Sequence, residues 1–295
     1  MEKLKYRKMS TKKDQRIGLI IKKAQNGNSK DRVLPIVRNR HNLDKHYLIL
    51  SANPEIILLA LKDIKLTSIL LSSDILINDG VGLSIANDFL NEKTYKNNYL
   101  AFLIYSIQFL IQEVATLFSK HKKVLKGRDL FIDLIKLGNK LNWKVFLLGG
   151  EKNEALKTKE KLKVSFKQIK IESDSGPILS DSGQPVSKAE EDKEKEVISK
   201  INSFQPDILF VAFGAPKQEY WINSNLKSIN SKGIMAVGGT YNYIAGNMRL
   251  PMSFFEKTGL EWVWRLVTEP KRIIRILNAV VVFPIKTVLY KLNQN

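Results

Sequence analysis

One segment of the chain restricts the fold more than any other. Residues 208–213 are continuously apolar, as expected of a strand that is buried on both faces of a sheet. The run stops at Gly214, and Pro216 then stands where the first turn of a helix would begin. A strand buried on both faces needs helices on each side of its sheet, so this segment predicts an α/β fold.

The same pattern recurs along the chain. Apolar segments alternate with amphipathic or charged segments that have helical spacing. The candidate strands are residues 47–50, part of 69–77, 143–148, 167–171, 208–213 and 234–237. Strands that alternate with helices indicate a mostly parallel sheet. We therefore predict a Rossmann-like α/β architecture with helices on both faces of the sheet.

Most of the predicted strands end in a polar or glycine-rich turn. These turns contain Asn53, Asp79, Gly80, Gly149, Gly150, Gly214, Gly238 and Gly239. The carboxyl ends of parallel strands converge on one edge of a sheet, and ligands of open α/β sheets bind there. We expect the ligand cleft of this protein at that edge.

Two of these turns carry side chains suited to chemistry. Lys217, Gln218 and Glu219 follow Gly214 at a predicted helix start, where a cation, an amide and a carboxylate can orient a phosphate-bearing ligand. The alternative is an ordinary helix start, in which Glu219 interacts with the helix dipole. Asp79 stands at a strand mouth and is the best candidate for a general base. Its alternative role is to cap a turn before Gly80.

The glycine pair Gly149-Gly150 resembles a nucleotide-phosphate turn, because backbone N–H groups can approach an anion closely there. The pair is not part of a G-x-G-x-x-G motif, and no Walker lysine follows it. Folds that bind NAD or ATP are therefore poorly supported.

Composition excludes several kinds of site. The 295 residues include no cysteine, so disulfides, thiolate metal sites and cysteine nucleophiles are excluded. The three histidines, His41, His46 and His121, lack metal-ligand spacing, and we predict no metal site and no cofactor. A net charge of +19 favours a polyanionic partner: nucleic acid, anionic lipid or a phosphorylated substrate.

Basic residues concentrate at both ends of the chain. Residues 1–50 hold fourteen Lys or Arg against four Asp or Glu, and no acidic residue follows Glu269. We divide the chain into a basic N-terminal arm at 1–32, an α/β core at 33–258 and a basic C-terminal appendage at 259–295. The arm reads as a mobile segment or an added strand. Because the N-terminus has no apolar signal region, we expect a cytosolic start.

Residues 99–118 form an unusually apolar stretch inside an apolar helical insertion at about 95–122. Its length matches a membrane span, but Gln108, Gln112 and Glu113 lie within it, and a central carboxylate is costly in a bilayer. We favour a helix that lies in the membrane interface or against a partner. A membrane span and an ordinary buried helix are the alternatives.

The C-terminal segment, residues 260–292, is helical in pattern, apolar and basic. Trp262 and Trp264 accompany six lysines and arginines, a composition typical of a helix that binds a membrane surface. The alternative is a helix that caps the core and exposes its basic face to solvent. Both descriptions can hold for one helix.

Taken together, the motifs resemble the WecG/TagA/CpsF family of bacterial glycosyltransferases. The resemblance covers roughly residues 47–275 and follows the order of the family's motifs. It rests on Asn53, Asp79-Gly80, Gly127-Arg128-Asp129-Leu130, Phe146 to Gly150, Pro206-Asp207, Gly214 to Trp221, Gly238-Gly239, Ala245-Gly246, Arg249-Leu250-Pro251, Gly259 to Trp262, Arg265 and Glu269 to Arg272.

The resemblance implies a function. Members of this family transfer an N-acetylmannosamine-type sugar from a UDP donor to a polyprenyl-diphosphate-linked N-acetylglucosamine, with inversion and without a metal. The products enter teichoic acid, common antigen or capsule synthesis. The resemblance further implies a peripheral enzyme on the cytoplasmic face of the bacterial plasma membrane, docked through its basic C-terminal segment on anionic lipid. Whether it forms a homo-oligomer is left open.

The resemblance also implies roles for residues. Asp79 matches the catalytic base, and Gln218 is placed to orient the sugar or the diphosphate. Arg249, Arg265 and Arg272 match arginines that stabilise the charge of the UDP leaving group. The predicted substrate-binding set is Asn53, Gly80, Arg128, Gly149, Gly150, Gly214, Lys217, Glu219, Gly238, Gly239 and Asn242.

The chain departs from the family pattern at several points. Asn242 stands where the family usually has an aspartate, so contacts to the nucleotide or sugar can differ there. Arg249-Leu250-Pro251 replaces the usual Arg-Ala-Pro, and the apolar stretch 99–118 is longer than in typical members. Residues 171–176 resemble the family's loop only loosely, which leaves the choice of donor open.

Two other classes of function compete with a transferase. Asn242 motivates a non-catalytic, membrane-associated scaffold that binds nucleotide sugars, whereas Asp79, Gln218 and the arginines argue against it. The net charge also allows a nucleic-acid-binding protein. No recognition helix or aromatic-and-basic RNA motif is present, so we expect no nucleic-acid partner.

Overall fold

The fold is built on a six-stranded sheet. The structure is a computed structural model. It describes residues 15–92, 103–109, 125–151, 153–248, 251–252, 255, 261–268 and 273–293. The strands are β1 (Tyr47–Ala52), β2 (Ile75–Asn78), β3 (Lys144–Gly149), β4 (Lys170–Asp174), β5 (Ile208–Ala212) and β6 (Gly233–Ala236). Their order is β2-β1-β6-β5-β3-β4, and every adjacent pair is parallel. The predicted α/β class with a parallel sheet is confirmed.

Helices connect the strands. In chain order they are α1 (Arg16–Ala24), α2 (Lys30–Asn42), α3 (Pro54–Lys62), α4 (Ile64–Ser72), α5 (Val81–Asn91), α6 (Gly127–Lys140), α7 (Glu154–Ser165), α8 (Lys188–Phe204), α9 (Lys217–Asn225), α10 (Thr240–Ala245), α11 (Glu261–Thr268) and α12 (Ile273–Leu292). A π-helical turn, Asn278–Val282, interrupts α12. The apolar run 69–77 divides between the end of α4 and β2, because Ser73 and Asp74 break it.

The sheet separates two apolar cores, because successive side chains of a strand point to opposite faces. In β1, Leu48 and Leu50 join the core beneath α1, α3, α4, α5, α8 and α9. Tyr47 and Ile49 join the opposite core beneath α2, α6, α7 and α10. The predicted helices on both faces are therefore present. Five strands are buried on each side, as their apolar sequences indicated, whereas the edge strand β4 is only partly buried.

Polar residues at helix starts fix where several helices begin. Asn53 Oδ1 accepts a hydrogen bond from Ile56 N at 2.9 Å, and Pro54 occupies the first turn of α3. Asp63 caps α4, and Ser187 caps α8 in the same way. These caps satisfy backbone N–H groups that have no partner inside the helix. The Asn53 cap ties the turn that follows β1 to α3, and the Asp63 cap joins α3 to α4.

The N-terminal arm predicted at 1–32 is wrong for its second half. Residues Arg16–Ala24 form α1, and Ile17, Ile20 and Ile21 are buried in the core. Their i, i+3, i+4 spacing supplies an apolar stripe within a lysine-rich segment, and burial of that stripe outweighs the polar composition. The start of α2 falls in the same range, and residues 1–14 lie outside the described part of the chain.

Part of the apolar insertion is described. Residues 103–109 are helical, and Tyr105 and Phe109 are buried with ring contacts to Phe89 of α5. Leu103 and Ile107 are exposed on the other side of this helical segment. The described residues therefore pack on the core through one face, while the rest of the stretch predicted to lie in the interface falls outside them.

The end of α12 belongs to the core. Phe283, Val288 and Leu292 are buried, and the helix contacts α1, α3 and α5. Lys291 is fully buried between the rings of Phe89 and Tyr105 and donates a hydrogen bond to the Phe89 carbonyl. Burial lowers the pKa of the Lys291 ammonium. The C-terminal helical segment is therefore present as predicted, and its last third is anchored in the fold.

Candidate functional site

The carboxyl ends of five strands line one edge of the sheet. Asp79 N donates to Ala52 O at 2.8 Å across β2 and β1, and Val237 N donates to Val211 O at 2.9 Å across β6 and β5. Gly150 N donates to Ala212 O at 3.0 Å across β3 and β5. Four strand spacings separate the β2 end from the β3 end, about 19 Å. The turns predicted to form one ligand cleft thus lie along one edge.

Asp79 is held at the β2 end by the next helix along this edge. Its Oδ1 accepts a hydrogen bond from the backbone N of Gly127 at 3.1 Å, at the first residue of α6. A Cβ at Gly127 would lie 3.7 Å from Asp79 Oδ2, so helix and carboxylate are in close contact. The carboxylate is half-buried and has a defined orientation, as a general base requires.

Asn53 and Gly80 lie beside Asp79. The side-chain oxygen of Asn53 caps α3, so this group already has a structural task. A Cβ at Gly82 would lie 3.1 Å from Pro54 Cγ, which shows how closely the β1–α3 and β2–α5 turns approach. Gly80 itself has a φ of +143°, a conformation that favours glycine.

Arg128 links this end of the edge to α10. Its guanidinium lies 5.5 Å from the centre of the Tyr243 ring, and its Nε is 3.7 Å from Asp129 Oδ1. The side chain is mostly buried, with 14% of its surface exposed. A cation is therefore held one residue from the N–H group that binds Asp79. Its contact with substrate remains a prediction.

Gln218 joins the β5 and β6 turns. Its Oε1 accepts a hydrogen bond from Gly238 N at 3.0 Å, and its Nε2 donates to Glu219 Oε1 at 2.9 Å. The side chain is 3% exposed. Both ends of the amide therefore have partners within the protein. The predicted orienting role toward a ligand remains a prediction, and the described contacts make Gln218 a brace between two turns.

Glu219 is buried against Gln218, whereas Lys217 contacts the loop before α8. Glu219 is 1% exposed, and no described residue supplies a hydrogen-bond partner to its Oε2. Burial raises the pKa of this carboxyl to about 7. Lys217 instead extends to the loop before α8, where its Nζ donates to Leu179 O at 3.1 Å and lies 3.5 Å from Asp181. Direct ligand contacts by either residue remain predictions.

The glycine turns in the middle of the edge are open. Gly214 has a φ of +82°, and no atom lies within 4 Å of the position that its Cβ would take. The position that a Cβ would take at Gly239 is open in the same way. Gly238 uses its N–H for Gln218. Backbone therefore borders the cleft between Asp79 and Gly149, where a ligand can approach closely.

A cavity of about 390 Å³ lies at the β3 end of the edge. It is lined by Glu151, Glu154, Lys157, Asn242 and Asn247, from the start of α7 and the end of α10. Asn242 and the Gly149-Gly150 turn were predicted, whereas the four other lining side chains were not. Their sequence signal was the position of three of them within eight residues after Gly149-Gly150, at a helix N-terminus.

The three predicted C-terminal arginines are not placed by the described structure. Arg249 and Arg272 lie outside the described residues, and only the backbone of Arg265 is described, within α11. Their catalytic roles therefore remain predictions. Arg275 of α12 is described: its Nε lies 3.0 Å from Glu55 Oε1 in the first turn of α3, and this ion pair brings α12 near the Asn53 cap.

Among the residues that the structure describes, no group of three or more His, Asp or Glu is arranged to hold a metal ion. The prediction of metal independence is not tested by this observation. Within the same residues, one helix, Ile273–Leu292, is long and apolar enough to cross a membrane by length and composition.

The comparison with known families shows that the protein with this edge and fold is a glycosyltransferase. The family model described as "Glycosyl transferase WecG/TagA/CpsF family" matches residues 101–295, two thirds of the chain. The chain belongs to this family, which confirms the resemblance drawn from the motifs and the predicted enzyme class.

Curated relatives narrow the comparison. Proteins named N-acetylglucosaminyldiphosphoundecaprenol N-acetyl-beta-D-mannosaminyltransferase are 26% identical over 235 residues in Bacillus spizizenii and 26% identical over 244 residues in Bacillus subtilis. The alignments cover 80% of this chain in both cases, and 76% and 80% of the relatives. A Staphylococcus aureus protein of the same name is 31% identical over 153 residues, 52% of this chain and 55% of its own.

Proposed function

We propose that the protein transfers an N-acetylmannosamine-type sugar from a UDP donor to a polyprenyl-diphosphate-linked N-acetylglucosamine. The two Bacillus relatives are named as N-acetylmannosaminyltransferases of N-acetylglucosaminyldiphosphoundecaprenol, which supports this donor sugar and acceptor. The proposal includes a metal-independent, inverting mechanism on the cytoplasmic face of the membrane. The product would serve a cell-envelope polymer such as teichoic acid or capsule.

The observation that carries the proposal is the position of Asp79. A carboxylate at the mouth of β2, oriented by the N–H group of Gly127, faces the edge where α/β sheets bind ligands. An inverting transfer needs one such base, because a single displacement removes one proton from the acceptor hydroxyl. The Asp79 carboxylate is the described group in the cleft that combines this chemistry with a fixed geometry.

The proposed reaction is a direct displacement. The acceptor hydroxyl oxygen forms a bond to the anomeric carbon, while the bond from that carbon to the UDP oxygen breaks. Asp79 takes the hydroxyl proton, and UDP leaves with the bonding electron pair. The configuration at the anomeric carbon inverts, because attack and departure occur on opposite sides of the sugar.

Negative charge that develops on UDP needs cations and N–H groups. Arg128, held over the Tyr243 ring, is the described cation beside the Asp79 end of the cleft. The open backbone at Gly214 and Gly239 offers close approach to phosphate oxygens. Arg249, Arg265 and Arg272 complete the proposal, since the family pattern places arginines there and Arg275 anchors α12 nearby.

The outer face of α12 suits a membrane surface. Ile274 is 71% exposed, and Leu277, Val281, Ile285 and Leu289 are exposed beside it. Arg275 and Lys286 stand among these side chains, and apolar helices with basic residues bind anionic bilayers. Docking through this face would bring the cleft to a lipid-linked acceptor. The buried end of α12 would connect the docked face to the α/β core.

The test is a UDP-release assay in the presence of EDTA. Purified protein would receive a lipid-linked N-acetylglucosamine diphosphate and a panel of UDP-sugars. We expect acceptor-dependent release of UDP with a mannosamine-type donor. NMR of the product should show an anomeric configuration opposite to that of the donor sugar. Asp79→Asn should lower the rate about 1000-fold, because general-base catalysis contributes on this scale.

Asp192→Asn provides the matched control, because this carboxylate lies on the surface of α8 and pairs with Lys188 and Lys195 of its own helix. It should retain full activity. Turnover by Asp79→Asn at the wild-type rate would contradict the mechanism. UDP binding without release from any donor would favour the non-catalytic scaffold.

A further inference from the structure

A buried carboxylate lies in the wall of the cavity beside β3. Glu154, the first residue of α7, is only 5% exposed, although it lines a cavity of about 390 Å³. Its Oε1 accepts a hydrogen bond from Asn247 Nδ2 at 3.4 Å, which is long for this kind of bond. The backbone of Glu151 supplies a further contact. A carboxylate has about four acceptor positions, so this one retains capacity for a ligand.

The neighbouring turn leaves room for this carboxylate. Gly150 has a φ of +81°, and a Cβ there would lie 2.8 Å from Glu154 Cβ and 3.2 Å from Glu154 Oε2. Glycine is therefore required at this position by the backbone and by the buried side chain together. The Gly149-Gly150 turn lies beside the cavity on this side. Its approach to a phosphate remains a prediction.

The charges of the cavity disfavour a phosphate. Among the lining residues that the structure describes, Glu151 and Glu154 contribute two carboxylates, against one ammonium from Lys157. A neutral group that is rich in hydroxyls suits these side chains better. Hydroxyl hydrogens can be donated to a carboxylate, while hydroxyl oxygens accept from Lys157 or from the amides of Asn242 and Asn247.

We infer that Glu154 accepts hydrogen bonds from hydroxyl groups of the nucleotide-sugar donor and so helps to determine which donor is bound. The inference rests on the proposed function, since that function supplies the donor. Two parts of such a donor carry hydroxyls, the ribose and the transferred hexosamine, and either fits a cavity of this size. The diphosphate would then lie along the open turns toward Asp79.

Energetics agree with this assignment. Burial raises the pKa of the Glu154 carboxyl, because a desolvated charge is poorly stabilised by its present contacts. Hydroxyl donors would replace the lost hydration, and hydrogen bonds to an ionised oxygen are stronger than those between neutral groups. Removal of the carboxylate should therefore weaken donor binding more than it weakens the fold.

The experiment is isothermal titration calorimetry with the full chain. UDP, UDP-N-acetylmannosamine and 2′,3′-dideoxy-UDP would be titrated into wild type, Glu154→Ala and Glu154→Gln. Glu160→Gln is the matched control, because it removes the same charge from an exposed position on α7 outside the cavity. Thermal melting without ligand would establish that each variant is folded, and Glu154→Gln keeps the side-chain volume if the alanine variant is unstable.

We expect Glu154→Ala to weaken binding about 10- to 100-fold, the range for a hydrogen bond to a charged group. Glu154→Gln should show a smaller loss, and Glu160→Gln none. If the ribose is the source, UDP itself shows the loss, and the difference from wild type disappears with 2′,3′-dideoxy-UDP. If the hexosamine is the source, only UDP-N-acetylmannosamine shows the loss.

Equal affinities of wild type and Glu154→Ala for UDP and for the UDP-sugar would overturn the inference and leave the proposed function intact. A loss for UDP that persists with the dideoxy ligand would also overturn it, since the contact would not be to hydroxyls. Wild type that binds neither ligand would contradict the proposed donor, and the inference with it.

Discussion

The two ends of the ligand-binding edge each hold a carboxylate, in opposite surroundings. Asp79, at the β2 end, is half-buried, and its Oδ1 accepts a hydrogen bond from the backbone N–H group of Gly127 at 3.1 Å. Glu154, at the β3 end, is almost fully buried and has a long contact to an amide. The first is accessible and oriented, as proton transfer requires. The second is enclosed beside a cavity, as ligand recognition requires. The roles that we propose for the two carboxylates follow from their surroundings more than from the residue type.

Between these ends lies a braced centre. Gln218 ties α9 to the β6 turn and donates to the buried Glu219 carboxylate. The brace keeps the middle turns in place, so that their open backbone faces the cleft. Differences in burial also divide α12, whose outer face is apolar and exposed, while Val288 and Leu292 lie in the core. Burial thus separates the core side of α12 from the side that we propose docks on a membrane.

The largest effect on stability is expected in α12. Val288→Asp places a carboxylate in the core, where Val288 is 2% exposed, and should lower the free energy of unfolding by about 3 kcal/mol or more. Ile285→Asp, at a position that is 47% exposed, should change it by less than about 0.5 kcal/mol. Urea denaturation measures both.

The same pair separates folding from docking. Ile285→Asp should weaken sedimentation with vesicles that contain phosphatidylglycerol, because it places a negative charge on the apolar outer face. Normal vesicle binding by Ile285→Asp would show that this face does not dock. Unchanged stability of Val288→Asp would contradict the burial of this helix end.

The next effect concerns Glu219 and pH. Burial raises the pKa of this carboxyl from 4.5 to about 7, so the folded state favours the protonated form. The contribution of the Glu219 carboxyl to the free energy of unfolding is fully present below pH 4.5 and is lost as the pH rises through 7. From pH 5 to pH 8, wild type should lose up to about 3 kcal/mol that Glu219→Gln does not lose.

Chemical denaturation of wild type and Glu219→Gln at both pH values measures this difference, in which other titrating groups cancel. A stability difference between the two proteins that is the same at pH 5 and pH 8 would show that Glu219 does not titrate in this range. The brace would then be independent of its protonation.

The smallest effect concerns Arg128, which links the Asp79 end to α10. Tyr243→Leu removes the ring beneath the guanidinium and should lower kcat/KM about fivefold, the range of a cation–π contact of about 1 kcal/mol. Tyr243→Phe keeps the ring and should retain activity. If Tyr243→Leu and wild type have equal kcat/KM, the Tyr243 ring does not help to position Arg128.

The sequence predicted the parts of this molecule that depend on local pattern. The unbroken apolar run before Gly214 indicated a doubly buried strand, and β5 confirms it. Polar turns after β1, β2, β3, β5 and β6 indicated a shared edge, because parallel strands end together. Asp79 was found in this way, since a carboxylate after an apolar strand and before a glycine stands at a strand mouth.

Other parts depend on contacts between distant segments, which no local pattern encodes. Glu154 meets Asn247 across 93 positions of the chain, and the cavity exists only when α7 and α10 pack together. The arm at 1–32 was misjudged because its composition is polar, while the spacing of Ile17, Ile20 and Ile21 was the signal that mattered. The burial of Lys291 also depends on rings from α5 and the 103–109 helix.

The central claim is that Asp79 performs chemistry while Glu154 binds the donor, and steady-state kinetics with the transferred donor test it most directly. We predict that Asp79→Asn lowers kcat about 1000-fold and changes the donor KM by less than about threefold. Glu154→Ala should raise the donor KM about tenfold or more and leave kcat within about threefold. Loss of kcat in both variants without a change in KM, or the reverse assignment, would contradict this division of roles.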